Sequence, residues 1–208
     1  MIARRTTTTI VSVIAALAVG YGITSRLDIS DDELEPFLAA AAVDEVAHLP
    51  YGDVEVTDVR PARYVAPQVS TELARMAAGV FVLVSVKVTA SREPTAFRAA
   101  YLVDAHGREY QASAKADCAL SVESPTGIPA YALFCFDVPP EVLSGLRLRL
   151  ARGSLIYFTV NGDAMADVDL GISAADEETW RKTEDAILAE TTSDEPFELQ
   201  KVTLGEES

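Results

Sequence analysis

Between Gly79 and Ala90 the chain reads GVFVLVSVKVTA, with valine at 80, 82, 84, 86 and 88 and Phe81, Leu83, Ser85, Lys87 and Thr89 in the alternate positions. A period of two sends successive side chains to opposite faces, so the run predicts a strand with its valines in the core. The other face turns polar from Ser85 onward, as a half-buried antiparallel strand requires. Shorter alternations surround it. Val54 and Val56 predict a first strand ending near Pro61. Arg98 to Val103 and Glu109 to Ala112 flank an Asp104-Ala105-His106-Gly107 turn. Leu146, Leu148 and Leu150 alternate with Arg147 and Arg149, and Leu155 to Val160 runs into Asn161-Gly162, a hairpin signal. Short strands separated by frequent turns predict an all-β domain of sheet packed on sheet.

Two stretches carry a helical period instead. Ser30 and Glu33 have capping-box spacing, and Leu34, Phe37, Leu38, Ala41 and Ala42 recur at helical intervals, predicting a short helix that starts at Ser30 or at Pro36. A second short helix is predicted from about Asp176 to Ala189, with Ser173 as its cap and Trp180, Ile187 and Leu188 on one side.

From Thr6 to Ser25 there are twenty consecutive uncharged residues, bounded by Arg4-Arg5 and by Arg26. At about 1.5 Å of rise per residue such a helix spans roughly 30 Å, the hydrocarbon thickness of a bilayer. Positive charge precedes the segment and acid follows it, so the reading is a single-pass transmembrane anchor with residues 27–208 outside the cytoplasm. The rival readings are a cleaved secretory signal, since Ala16-Leu17-Ala18 is an A-x-A site, and a buried soluble helix.

Charge is unevenly placed. The net −15 of the 208 residues divides into +3 over 1–26, −10 over 27–58, zero over 59–172 and −8 over 173–208. A neutral middle between acidic arms reads as one domain with solvated extensions, and the arms repel phosphate backbones, which argues against nucleic-acid binding. The organisation expected is therefore a cytoplasmic stub and anchor at 1–26, an acidic juxtamembrane spacer at 27–50, a β-sandwich at 51–172 and an acidic extension with a short helix at 173–208.

Two cysteines, Cys118 and Cys135, lie either side of the turn-rich Ser124-Pro125-Thr126-Gly127-Ile128-Pro129. A hairpin centred between Thr126 and Gly127 opposes them and also sets Leu120 against Leu133 and Val122 against Tyr131. Opposed residues of the closer kind of antiparallel pair are about 4.5 Å apart at Cα, a separation a disulfide accepts. A bridge is expected, and two buried free thiols are the alternative.

Gly79 to Thr89, then Leu102-Val103-Asp104-Ala105-His106-Gly107-Arg108-Glu109-Tyr110, then Phe136-Asp137-Val138-Pro139 and Gly145-Leu146-Arg147-Leu148 follow one another in an order that resembles the immunoglobulin-like domains of bacterial lipoproteins and single-pass envelope proteins. The resemblance spans about residues 52–160. It implies an immunoglobulin-like antiparallel β-sandwich on the outer side of a Gram-positive type envelope, and it implies no reaction and no general ligand. The chain has no cysteine near the anchor for lipid attachment. Thirteen arginines against four lysines, with abundant alanine, fit a GC-rich bacterial genome such as an actinobacterial one.

Side-chain chemistry is sparse. His48 and His106 have no metal or triad context, and no Gly-rich phosphate loop or C-x-x-C pair occurs. Asp163, Asp167 and Asp169 beside Asn161-Gly162 offer hard oxygens near a turn without the EF-hand pattern, and they are read as ordinary acidic hairpin residues. No nucleophile, base and orienting group assemble, so no enzyme, cofactor or metal is expected. Arg147, Arg149 and Arg152 form a basic strip that meets either an acidic partner or the molecule's own acids, or is a solvated strand face. The function expected is a membrane-anchored binding or scaffolding module for another envelope protein. The alternative is an accessory structural subunit of a secretion or cell-wall assembly complex.

Overall fold

The computed structural model describes residues 36–115, 118–153, 163–189, 192–196 and 199–204. The proposed anchor, and the strand expected at Leu155–Val160 with its Asn161-Gly162 turn, lie outside the described residues. In chain order the strands are β1 (Phe37–Ala42), β2 (Val46–Leu49), β3 (Gly52–Pro67), β4 (Arg75–Ala90), β5 (Thr95–Phe97), β6 (Ala99–Val103), β7 (Glu109–Gln111), β8 (Val122–Ser124), β9 (Pro129–Val138), β10 (Arg147–Ala151), β11 (Ala164–Asp169), β12 (Ala186–Ala189), β13 (Thr192–Ser193) and β14 (Lys201–Val202). One helix, α1 (Ala174–Trp180), precedes β12.

Two sheets carry most of these strands. One has the order β1-β11-β10-β6-β7. The other has the order β13-β9-β4-β3-β12-β14, with β2 also paired to β3. The valines of β4 at 80, 82, 84, 86 and 88 are buried between the sheets with Phe134 and Phe136 of β9, and they meet Ala100 and Leu102 of β6, Leu148 and Leu150 of β10, and Ala166 and Val168 of β11. Each such valine, leucine or phenylalanine contributes about 1.5–3 kcal/mol by leaving water, and the expected valine face is the core face. The chain is a β-sandwich.

Several expectations are corrected. The helix read at Ser30–Ala42 is, over its described part, the strand β1, because Ala39 and Ala41 pack against the inter-sheet core and β11 supplies a ladder from Phe37 to Ala42. Tertiary pairing overrides an alanine-rich propensity. The sandwich therefore draws strands from both flanking segments. Residues 37–49 give β1 and β2, and the stretch after 172 gives β12 to β14. The pairings of β1 with β11 and of β12 with β3 are parallel, so the sheets are not purely antiparallel.

The first strand does not stop at Pro61; β3 continues to Pro67. On the flank away from β4, β2 pairs only with Gly52–Glu55 and β12 only with Tyr64–Pro67, and Val56 and Arg63 bond to Asp44 and Asp185, so Pro61, between them, loses no ladder bond for want of an N–H. The later helix is shorter than expected. Ser173 does cap it, through a reciprocal pair of bonds with Asp176, but it ends at Trp180, and Ile187 and Leu188 lie on β12. Gly127, with φ of 72°, and Ser124, whose hydroxyl donates to the Ile128 carbonyl at 2.9 Å and accepts the Ala90 N–H at 2.9 Å, fold the Pro125–Pro129 connection onto β4. As a result β8 pairs with β5, placing Val122 opposite Phe97 instead of Tyr131.

From Phe81 to Thr89 the non-valine face of β4 is partly exposed only at its polar end, at Lys87 and Thr89. Phe81 and Leu83 are fully buried in a second cluster with Leu133, Cys118, Cys135, Ile187, Ala189 and Leu199, and Ser85 is buried as well.

Candidate partner-binding face

Strand alternation places Arg147 and Arg149 on the outer face of the five-stranded sheet, opposite the core leucines 148 and 150. The neighbouring β11 carries Asp167 and Asp169 on the same face, with Arg147 directly opposite Asp169 and Arg149 opposite Asp167. Register thus brings together the basic strip and the acidic triplet that the sequence suggested separately.

Arg147 Nε donates to both Asp167 oxygens at 3.1 and 3.0 Å, its Nη2 to the Asp167 main-chain carbonyl at 3.0 Å, and its Nη1 to Asp169 at 3.4 Å. Arg149 Nε is 3.5 Å from Asp167 Oδ1 and makes no hydrogen bond. Arg152, just past the end of β10, donates from Nε to Asp163 at 2.6 Å. Three guanidinium groups face three carboxylates, so the strip is charge-compensated within the sheet. Charge-assisted bonds of this geometry fix the side chains, and an acidic partner would have to displace carboxylates already in place.

Tyr51 closes one end of this face, and sequence reasoning missed it. Its hydroxyl donates to the Ala164 carbonyl at 2.7 Å and accepts the Arg152 N–H at 3.2 Å, while the Arg152 guanidinium lies 4.6 Å from the ring centroid. Burial pushes the phenol up to about 12, with Asp163 adding to the rise and the Arg152 N–H and charge opposing it. The signal was thin: an aromatic residue straight after Pro50 can be a turn residue as easily as a latch. Directly opposite Arg149, Tyr101 is raised by burial first and then by Glu109, with the Arg149 side chain opposing.

Among the described residues no group of three or more His, Cys, Asp or Glu gathers as a metal site. Asp163, Asp167 and Asp169 are held by arginines, and Asn161-Gly162 lies outside the described residues. His48 is an exposed partner of Asp53 at 2.8 Å, and His106 is exposed on the β6–β7 turn. In that turn Asp104 is buried and accepts from the main-chain N–H of His106 at 2.8 Å and of Arg108 at 3.0 Å, from Arg108 Nε at 2.6 Å and from the Tyr110 hydroxyl at 3.1 Å.

The two cysteines are bridged, with Cα atoms 5.7 Å apart. The register beside them is one residue off the symmetric hairpin: the Ala119 N–H donates to the Leu133 carbonyl at 2.9 Å, and Leu120 is exposed. The bridge forms because the segment entering β8 still runs alongside β9 at that point.

The sequence matches no protein-family model and no curated protein. Among solved structures the chain is similar to the yjhA protein from Bacillus subtilis, with a TM-score of 0.44 and 11% identity over 62% of this chain and 98% of that one. It is also similar to an uncharacterized β-sandwich protein from Clostridium difficile (TM-score 0.38, 13% identity, 65% of this chain and 95% of that one). A conserved hypothetical protein from Bacillus anthracis gives a TM-score of 0.38 and 18% identity over 53% of this chain and 88% of that one. These likenesses are too distant to carry function, and the β-sandwich is read from the chain's own strand pairing.

Proposed function

We propose that this chain is a membrane-anchored, extracytoplasmic binding or scaffolding module of a bacterial cell envelope, an immunoglobulin-like sandwich held at the surface by residues 6–25 and working without catalysis. The observation that carries the reading is the Cys118–Cys135 bridge, both of whose cysteines are buried in the second core. Such a bridge persists where thiols are oxidised, which is outside the cytoplasm, and the anchor with its arginine bias supplies the same orientation from independent residues. The order of the Gly79–Thr89, Leu102–Tyr110 and Phe136–Pro139 stretches supports the immunoglobulin-like assignment. The outer face of the five-stranded sheet, with its ion pairs fixed in place, suits contact with a protein surface rather than turnover of a substrate.

The test is topology and neighbourhood in intact cells. The full-length protein should sediment with membranes, be cut by protease added outside, and shift in mass by two hydrogens on reduction. Crosslinking should capture a neighbour through the domain. A full-length product in the soluble fraction of lysed cells, protected from external protease beforehand, overturns the reading. A neighbour captured only through residues 6–25 replaces it with the accessory-subunit role.

A further inference from the structure

Strand β1 is an edge of the five-stranded sheet: β11 pairs with one side of it, and no described strand lies on the other. In the parallel ladder the Phe37 N–H donates to the Asp163 carbonyl at 2.9 Å, so Phe37, Ala39 and Ala41 turn their main-chain groups toward β11. By alternation Leu38, Ala40 and Ala42 turn theirs outward. The outward Ala42 N–H is already taken, by Glu45 Oε2 at 3.0 Å. The N–H and C=O groups of Leu38 and Ala40 have no partner among the described residues. Both residues are exposed, Leu38 to 45% and the adjacent Phe37 to 73%.

Natural edge strands are guarded by lysine, proline or bulges. β1, with the sequence FLAAAA, contains none of these and pairs residue for residue with β11. Its small side chains let another backbone approach to the usual interstrand distance of about 4.8 Å. The surroundings specify the charge of what approaches. Asp44 and Glu45, just past the end of β1, are exposed, and residues 36–59 hold five acids and no lysine or arginine.

We propose that the free edge of β1 is a strand-addition site for an extended, basic segment of a partner protein, one with apolar residues at alternate positions and Lys or Arg between them, docked on the main-chain groups of Leu38 and Ala40. This deepens the binding-module reading and rests on it. Main-chain bonds supply affinity and the acidic surroundings supply selectivity. A second copy of this chain is disfavoured as the occupant, because self-pairing would bring two acidic runs together.

The experiment uses the full-length protein in detergent micelles with an end-blocked Lys-Val-Lys-Val-Lys-Val peptide and its Glu-Val counterpart as probes. The basic peptide should bind about tenfold or more tightly than the acidic one and lose affinity with added salt. Amide exchange at Leu38 and Ala40 should slow on binding. Ala40→Pro, which removes an outward N–H and leaves the β11 ladder intact, should weaken binding about tenfold or more. Ala40→Lys should do the same by charge, and intact folding is read from Trp180 emission and the disulfide mass. Equal binding of both peptides, unchanged exchange at Leu38 and Ala40, or full binding by a folded Ala40→Pro protein overturns the proposal. So does a concentration-dependent dimer that Ala40→Pro dissolves, which would give the edge to a second copy. None of these readouts depends on cellular location, so the edge and the export reading fail separately.

Discussion

Two aspartates show how single side chains hold main chain in this domain. Burial works against the charge of Asp104, but the N–H groups of Arg108 and His106, then the Arg108 side chain and the Tyr110 hydroxyl, outweigh it and bring the carboxyl down from 3.8 to about 2. A folded value below the unfolded one means the stabilisation is present above about pH 4 and is lost as pH falls toward 2, amounting to about 2 kcal/mol. Asp104→Asn should therefore lower stability at neutral pH by about that amount and flatten the acid limb between pH 4 and 2, read from urea midpoints across pH. Asp137 accepts the N–H groups of Ala78 and Gly79 at 3.0 Å each and the Lys115 ammonium at 2.8 Å, anchoring the start of the buried part of β4. At Gly79 an added Cβ would sit 2.0 Å from the Val138 carbonyl oxygen, a backbone obstacle that cannot swing aside. Gly79→Ala should destabilise by about 3 kcal/mol in the same assay.

Among the elements, β10 and β11 are joined by ion pairs that are unequal in worth. Asp167 is 7% exposed and serves both Arg147 and Arg149, so removing it leaves two guanidinium groups without their shared counter-ion. Asp167→Ala should cost about 1–2 kcal/mol, the partial exposure of the arginines keeping it below the fully buried case. Arg149→Met should fall within about 0.5 kcal/mol of wild type, since its Nε makes no hydrogen bond and its stem still packs. Denaturant titration of both variants checks the contrast. The Cys118–Cys135 bridge ties the segment before β8 to β9. Replacing both cysteines with alanine should cost about 3 kcal/mol, seen as a lower melting temperature that reductant no longer changes.

At the scale of the whole molecule, the seven-stranded sheet buries apolar residues on both sides. One side meets the five-stranded sheet, and on the other Phe81, Leu83 and Leu133 form one buried cluster with Ile187, Ala189 and Leu199 from the C-terminal stretch. That stretch is acidic in sequence, yet it supplies the parallel strand beside the far half of β3. Deleting residues 186–208 should expose the second cluster, giving binding of a hydrophobic dye at neutral pH and a loss of several kcal/mol from the buried apolar area removed. A truncated protein that melts like the full chain and binds no dye would show the layer to be dispensable.

What could be read without coordinates was local and periodic. The valine alternation of 80–88, the turn at Asp104–Gly107 flanked by β6 and β7, the alternation of β10 and the Ser173 cap each depend on neighbours close along the chain; the cysteines are paired as expected, although the symmetric hairpin from which the pairing is read does not form. What only the tertiary structure decided was non-local. Phe37–Ala42 carries both a helical period and small residues, and the parallel ladder with β11, more than a hundred residues on, selects strand. Phe81 and Leu83 are apolar in sequence, but what they bury against, Ile187, Ala189 and Leu199, comes from more than a hundred residues further on. Arg147 and Asp167, twenty residues apart, become one network by register alone. Sequence spacing fixes which side of an element a residue faces, whereas the free energy of burial and pairing is settled by what distant chain arrives on that side.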